Sequence, residues 1–67
     1  MHQSNDYLRA AILTRDTVAR LLREGHSIEQ ATRFVTAVIN AEEFALMKGR
    51  HTFDIARFRE RLRELPE

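Results

Sequence analysis

Histidines and acidic residues are the side chains of this sequence that could carry catalysis or bind a metal ion. His2, His26 and His51 lie in the N-terminal segment and in two predicted turns. No two of them have the four-residue spacing that places paired metal ligands on one helix face. Glu42 and Glu43 are adjacent, so on a helix they point in different directions and cannot work as an acid–base pair. We expect no metal, no cofactor and no small-molecule substrate.

The remaining candidates for chemistry have structural explanations. Ser27 follows His26 directly, but adjacent residues at a helix start point apart, and the backbone needs the Ser27 hydroxyl. The two glycines are isolated helix stops and form no phosphate-binding loop. The chain has no Cys, which excludes disulfides and thiolate ligands. We therefore predict a protein that is not an enzyme.

Length and charge limit the remaining classes of function. Sixty-seven residues make one domain, 1–67, and a chain this short buries only ~60% of its unfolded surface, so self-association would help to stabilise it. Eleven basic and ten acidic residues give a nearly neutral chain, which argues against a protein dedicated to phosphate backbones. No apolar run reaches the ~20 residues of a membrane span, and the N-terminus has no signal-peptide pattern. We expect a cytoplasmic protein that does not enter membranes.

The periodicity predicts an all-α domain of three helices, at about 6–24, 28–48 and 53–65, with a long, apolar central helix. Gly25 and Gly49 are typical residues just beyond a helix C-terminus. Ser27 and Gln30 have capping-box spacing at the start of the second helix. Thr52 is the predicted cap of the third helix, with Asp54 in its first turn. The segment 14–17 could also end one helix and begin another.

The first helix shows an apolar stripe that Arg15 interrupts, and the second helix shows a broad apolar arc. In the first helix the predicted stripe consists of Leu8, Ala11, Ile12, Val18, Ala19 and Leu22, with Leu13 and Leu21 off it. In the second helix the apolar residues fill an arc of about 200°, more than one neighbouring helix can cover. A second chain could cover the rest, so we expect a homodimer through Phe34, Val38, Ala41, Phe44 and Ala45. Alternatively, the other two helices cover this arc within one chain. Glu42 projects into the arc, so it marks the edge or has a partner there.

The third helix carries a narrow apolar stripe among charged residues. We predict that it binds a partner protein, with Phe53, Ile55, Phe58, Leu62 and Leu65 as anchors and Arg57, Arg61 and Arg63 as the rim. Residues 52–61, TFDIARFRER, resemble the C-terminal toxin-binding segment of ParD-type antitoxins. The resemblance matches Phe53, Asp54, Phe58 and Arg61, and it implies an amphipathic segment presented to a partner. That family's N-terminal DNA-binding strand has no counterpart here.

A second resemblance covers Val18 to Val35, which is similar to the first two helices of resolvase- and transposase-type helix-turn-helix domains. The sequence then departs from that pattern, because it continues as an apolar helix where a polar recognition helix should begin. Our first hypothesis is a small regulatory protein that binds another protein and inhibits or redirects it, as phage or plasmid antirepressors, inhibitors and antitoxins do. The alternative is a dimeric DNA-binding regulator with a degenerate helix-turn-helix.

Overall fold

The computed structural model describes residues 2–49 and 53–66, with side chains described from Asp6 onward in the first range. It contains helices α1 (His2–Arg23), α2 (Ile28–Met47) and α3 (Ile55–Arg63), and each packs against the other two. The described residues contain no strand, so the prediction of an all-α fold with three helices is confirmed. At 22 residues, α1 is longer than the 20-residue α2, which the sequence had suggested as the long central helix.

Helix α1 is continuous across the segment that the sequence left ambiguous. Thr14 and Thr17 donate their hydroxyl hydrogens to the carbonyls of Ala10 and Leu13, at 2.8 and 2.7 Å. The hydroxyl of each threonine therefore has its hydrogen-bond partner within α1, and neither threonine caps a second helix. The helix also begins at His2, earlier than the predicted start at about residue 6.

Local sequence signals set the turn between α1 and α2. Gly25 has a φ of +103°, and the amides of His26 and Gly25 bond to the carbonyls of Leu21 and Leu22, which closes the end of α1. The capping box is formed, because Gln30 N donates to Ser27 Oγ and Ser27 N donates to Gln30 Oε1, both at 3.1 Å. The short turn makes α1 and α2 antiparallel neighbours.

The start of α3 differs from the prediction. Asp54 is the cap: its Oδ1 accepts hydrogen bonds from Ala56 N at 3.0 Å and Arg57 N at 3.2 Å. Asp54 has extended backbone angles, so its carboxylate reaches back over the first turn as a cap residue does. The predicted cap Thr52, like His51, lies outside the described residues. Because Asp54 takes that role, α3 begins at Ile55.

All three helices contribute to one core. Its buried apolar members are Leu21, Ala31, Val35, Val38, Phe58, Leu62 and Leu65. The predicted stripe of α1 is wrong for Leu8, Ile12 and Leu22, which are exposed, whereas Val18 packs against the core. The face that packs inward instead carries Ala10, Leu13, Thr17 and Leu21, and Thr17 can be buried there because its hydroxyl is already bonded.

An arginine fixes how α3 lies on α1. The Arg20 guanidinium donates to the carbonyls of Leu62 at 3.1 Å and Leu65 at 2.9 Å, at the C-terminal end of α3, and to Glu24 at 3.0 Å. Positive charge is favourable at that end of a helix, where carbonyls lack helical partners. The other end of α3, at Ile55, lies beside Arg9 and Leu13, so α3 runs parallel to α1.

Candidate partner-binding surfaces

The anchors predicted on α3 turn towards the chain's own core. Phe58, Leu62 and Leu65 are buried, and Phe53 and Ile55 are half-buried and pack against the same core. The rings of Phe53 and Phe58 lie 5.7 Å apart. In the folded chain these apolar side chains are therefore covered, and their role in binding a partner stays a prediction. A 67-residue chain can form only a small core, and the apolar stripe of α3 packs against α1 and α2 to complete it.

The arginines predicted as the rim of that stripe do not act together. Arg57 forms a two-point ion pair with Glu42 of α2, with Nη2–Oε1 at 2.8 Å and Nε–Oε2 at 3.2 Å. The hydrogen bonds to Glu42 raise the pKa of the Arg57 guanidinium above its ordinary value. The Glu42 side chain is only 5% exposed, so this pair gives the buried carboxylate the partner that the sequence had left open. Arg61 and Arg63 are exposed, and Arg63 lies 3.9 Å from Glu60.

Most of the predicted self-association face of α2 is also occupied within the chain. Val38 is buried, and Phe34, Ala41 and Ala45 are half-buried. Phe34 packs against the core and meets the His26 ring edge-on, with centroids 5.5 Å apart. Only Phe44 is exposed, and the Lys48 Nζ lies 5.2 Å from the centre of its ring. The described contacts thus favour the alternative in which the other helices cover most of the arc.

A groove that the sequence did not reveal lies between α1 and α2, at the end of the hairpin away from the Gly25 turn. This α1–α2 groove has a volume of about 500 Å³. Its walls are mostly apolar, with Arg15 on the α1 side and Glu43 on the α2 side. The lining residues are Tyr7, Ala10, Ala11, Thr14 and Arg15 of α1, Ile39, Glu42, Glu43 and Leu46 of α2, and Phe53 and Phe58. Tyr7 and Leu46 remain exposed at its edges.

The groove could not be found from any one helix pattern, because three separate segments form it. The sequence feature closest to this groove was Glu42, because a carboxylate inside the apolar arc of α2 indicated either the edge of that arc or a partner on that side of the helix. Its pairing with Arg57 holds the N-terminal turn of α3 beside α2. That contact keeps Phe53 and Phe58 at the groove, where both rings contribute to its lining.

A second surface is basic and follows the α1–α3 boundary. Arg23, Arg59 and Arg63 line one shallow groove of about 240 Å³ together with Arg20 and Asp16, and Arg9 lies beside Arg59 in the next groove. We call the four exposed residues Arg9, Arg59, Arg63 and Arg23 the arginine edge. Because α3 is parallel to α1, they follow one another in that order along the boundary.

Comparison with protein families, with functionally described proteins and with solved structures finds no match for this chain. Within residues 2–49 and 53–66, no helix has the length and apolar character needed to cross a membrane. The same residues contain no group of three or more His, Asp or Glu side chains placed to hold a metal ion.

Proposed function

We propose that this chain is a small, cytoplasmic, non-enzymatic regulatory protein that binds another protein and inhibits or redirects it. The α1–α2 groove, rather than the outer side of α3, is the surface that supports this proposal best. Its apolar lining combined with the exposed Tyr7 and Leu46 is the observation that carries it. A concave apolar site with a few charged groups at its edges is typical of a binding site.

The shape of the groove favours a helix as the bound element. Two antiparallel helices form its walls, and an amphipathic helix can lay an apolar face between them. Tyr7 supplies an aromatic side chain at the edge, of the kind that commonly dominates binding energy. Arg15 and Glu43 lie on opposite walls, so a partner helix with an acidic and a basic flank would bind in one orientation.

Adjacent residues of α2 allow a matched test of this site. Leu46 lines the groove, whereas Met47 is exposed on the same turn and does not. Immobilised wild type, Leu46→Glu and Met47→Glu should be incubated with lysate of the source cells, and any retained protein then titrated against each. We expect Leu46→Glu to weaken binding at least tenfold and Met47→Glu to leave it near wild type. Equal binding by both variants would show that the partner does not bind in the α1–α2 groove.

Self-association is a further part of the proposed function. The chain is small, has no disulfide and leaves several large apolar side chains exposed, among them Phe44, Met47 and Leu8. A second copy covering apolar surface would add stability that a domain of this size lacks. Sedimentation equilibrium over a range of protein concentrations tests this part independently of the groove.

The arginine edge favours DNA binding as a second candidate function. Arg9 and Arg23 are fourteen residues apart on α1, about 21 Å along the helix axis, which spans roughly six phosphates of one strand. The nearly neutral net charge had argued against such a role, but the fold brings four exposed arginines onto one boundary. If each binds a phosphate, affinity for a fluorescent duplex should fall with salt at a slope of about −0.9 per contact. Absence of binding at low salt would eliminate this candidate.

A further inference from the structure

The boundary between α1 and α3 is a shallow trough lined by both apolar and basic side chains. Two grooves of about 400 and 240 Å³ lie along it, and they share Leu13 and Arg59, so they are continuous. We call the two grooves together the α1–α3 trough. The α1 residues that line it project to the side of the helix opposite the α1–α2 groove, and no described residue lines both sites.

Apolar side chains form the floor of the trough. Leu62 is buried, and Leu13 and Ile55 are half-buried. Ile12 and Ala56 are exposed and widen the apolar lining of the larger groove. The arginine edge supplies the rims, with two arginines from α1 on one wall and two from α3 on the other. A ligand that matches this lining must therefore combine apolar and charged groups.

The rims carry positive charge that the described chain leaves available. Among the described residues, three of the four arginines of the edge form no ion pair, and the fourth, Arg63, lies 3.9 Å from Glu60. Asp16 is the single acidic residue in the described lining, and its Oδ1 lies 3.8 Å from Arg15 Nε. The charge of a complementary ligand is therefore negative.

We propose that the α1–α3 trough binds an acidic amphipathic helix of a partner protein. The apolar face of that helix lies on Leu13, Ile55 and Leu62, and its flanking carboxylates pair with the arginine edge. From Arg9 to Arg23 the trough follows α1 for about 21 Å, the length of a helix of about fourteen residues. The inference goes beyond the function proposed for the α1–α2 groove and does not depend on it.

The apolar floor favours a protein helix over nucleic acid, the second candidate for the same arginines. A phosphate backbone would pair with the rims but has no apolar face to cover the floor. A single strand could use the floor only by stacking its bases on aromatic side chains, and the described lining of the trough contains none. An amphipathic helix with acidic flanks matches the floor and the rims together.

Synthetic peptides test this match directly. The probe is a fluorescent, end-capped peptide of about fourteen residues with Leu at helical spacing on one face and Glu on both flanks. One control peptide has Gln in place of each Glu, and a second keeps Glu but has Ala in place of each Leu. In anisotropy titrations with the whole chain, we expect each control to bind at least tenfold more weakly than the probe. Failure of the probe to bind, or equal binding by all three peptides, would overturn the proposal.

Two arginines of α3 allow a matched test on the protein side. Arg59 lines the trough, whereas Arg61 is exposed on the same helix and does not. We expect Arg59→Glu to weaken binding of the probe at least tenfold and Arg61→Glu to leave it near wild type. Leu46→Glu, which tests the α1–α2 groove, should also leave it unchanged, so the two sites can fail separately. Equal binding by the two arginine variants would overturn the proposal. A fluorescent duplex that binds more tightly than the probe and is weakened by Arg59→Glu would overturn it in favour of DNA.

Discussion

Substitution of Leu62 tests whether α3 belongs to the core of this protein. The Leu62 side chain is 1% exposed and lies in the core with Leu21, Phe58 and Leu65. Truncating such a leucine to alanine costs about 2–5 kcal/mol, because the lost apolar burial is combined with an unfilled cavity. A chain of this length has a free energy of unfolding of roughly 3–10 kcal/mol. We therefore expect Leu62→Ala to remove a large fraction of the total stability.

Urea unfolding followed by far-ultraviolet circular dichroism measures this loss. The free energy of unfolding of a small domain falls by about 1 kcal/mol or more for each molar of urea. The midpoint for Leu62→Ala should therefore fall by roughly 2 M relative to wild type, or the variant should be unfolded in buffer. Protein concentration must be kept constant, because self-association would add to the apparent stability.

The neighbouring Arg61 supplies the control. Its side chain is exposed on the same helix, so Arg61→Ala should change the free energy of unfolding by no more than about 0.5 kcal/mol. If Leu62→Ala and Arg61→Ala unfold at the same midpoint, then α3 is not packed into the core. In that case the apolar stripe of α3 would be free to bind a partner protein, as its sequence suggests. The rings of Phe53 and Phe58 would then not line the α1–α2 groove.

Three further substitutions test the cap, the turn and the hydrogen bonds that hold the helices in place. Ser27→Ala should lower the free energy of unfolding by about 0.5–2 kcal/mol in urea titrations, because α2 loses its cap. Gly25→Ala should cost roughly 1 kcal/mol by the same assay: the space around Gly25 is open, but its φ of +103° is unfavourable for alanine. Arg20→Met keeps the apolar stem but removes the bonds to Leu62 O and Leu65 O, so about 1.5–3 kcal/mol should be lost and α3 amides should exchange hydrogen faster.

The features that sequence predicted correctly depend on neighbouring residues. The capping box joins Ser27 and Gln30, and the turn at Gly25 needs only a residue that accepts a positive φ. Such signals require no knowledge of the rest of the fold, so three helices and the hairpin turn could be placed in advance. The cap of α3 was placed at Thr52 instead of Asp54, because both residue types suit that position; in the structure the Asp54 carboxylate accepts hydrogen bonds from the amides of Ala56 and Arg57.

The failures concern which side of a helix faces which neighbour. The periodicity of apolar residues placed Leu8, Ile12 and Leu22 on the buried side of α1. It did not include Thr17, because Thr17 is polar, but its hydroxyl donates a hydrogen bond to the Leu13 carbonyl and can therefore be buried. Packing against both α2 and α3 instead selected the side with Leu13 and Leu21. A narrow apolar stripe, as on α3, shows that a helix has one neighbour but does not say whether that neighbour belongs to the same chain.

The contacts that hold α3 in place also complete the proposed partner site. Arg20 binds the C-terminal end of α3, and the ion pair between Glu42 and Arg57 holds its first turn. With α3 docked, Phe53 and Phe58 line the α1–α2 groove; without it, the groove would lose both rings. A partner that binds the groove therefore binds the docked form in preference, and its binding must stabilise the docking of α3. Residues of α3 would then matter for partner binding as the sequence suggested, but through the groove that they complete and not through an exposed face of their own.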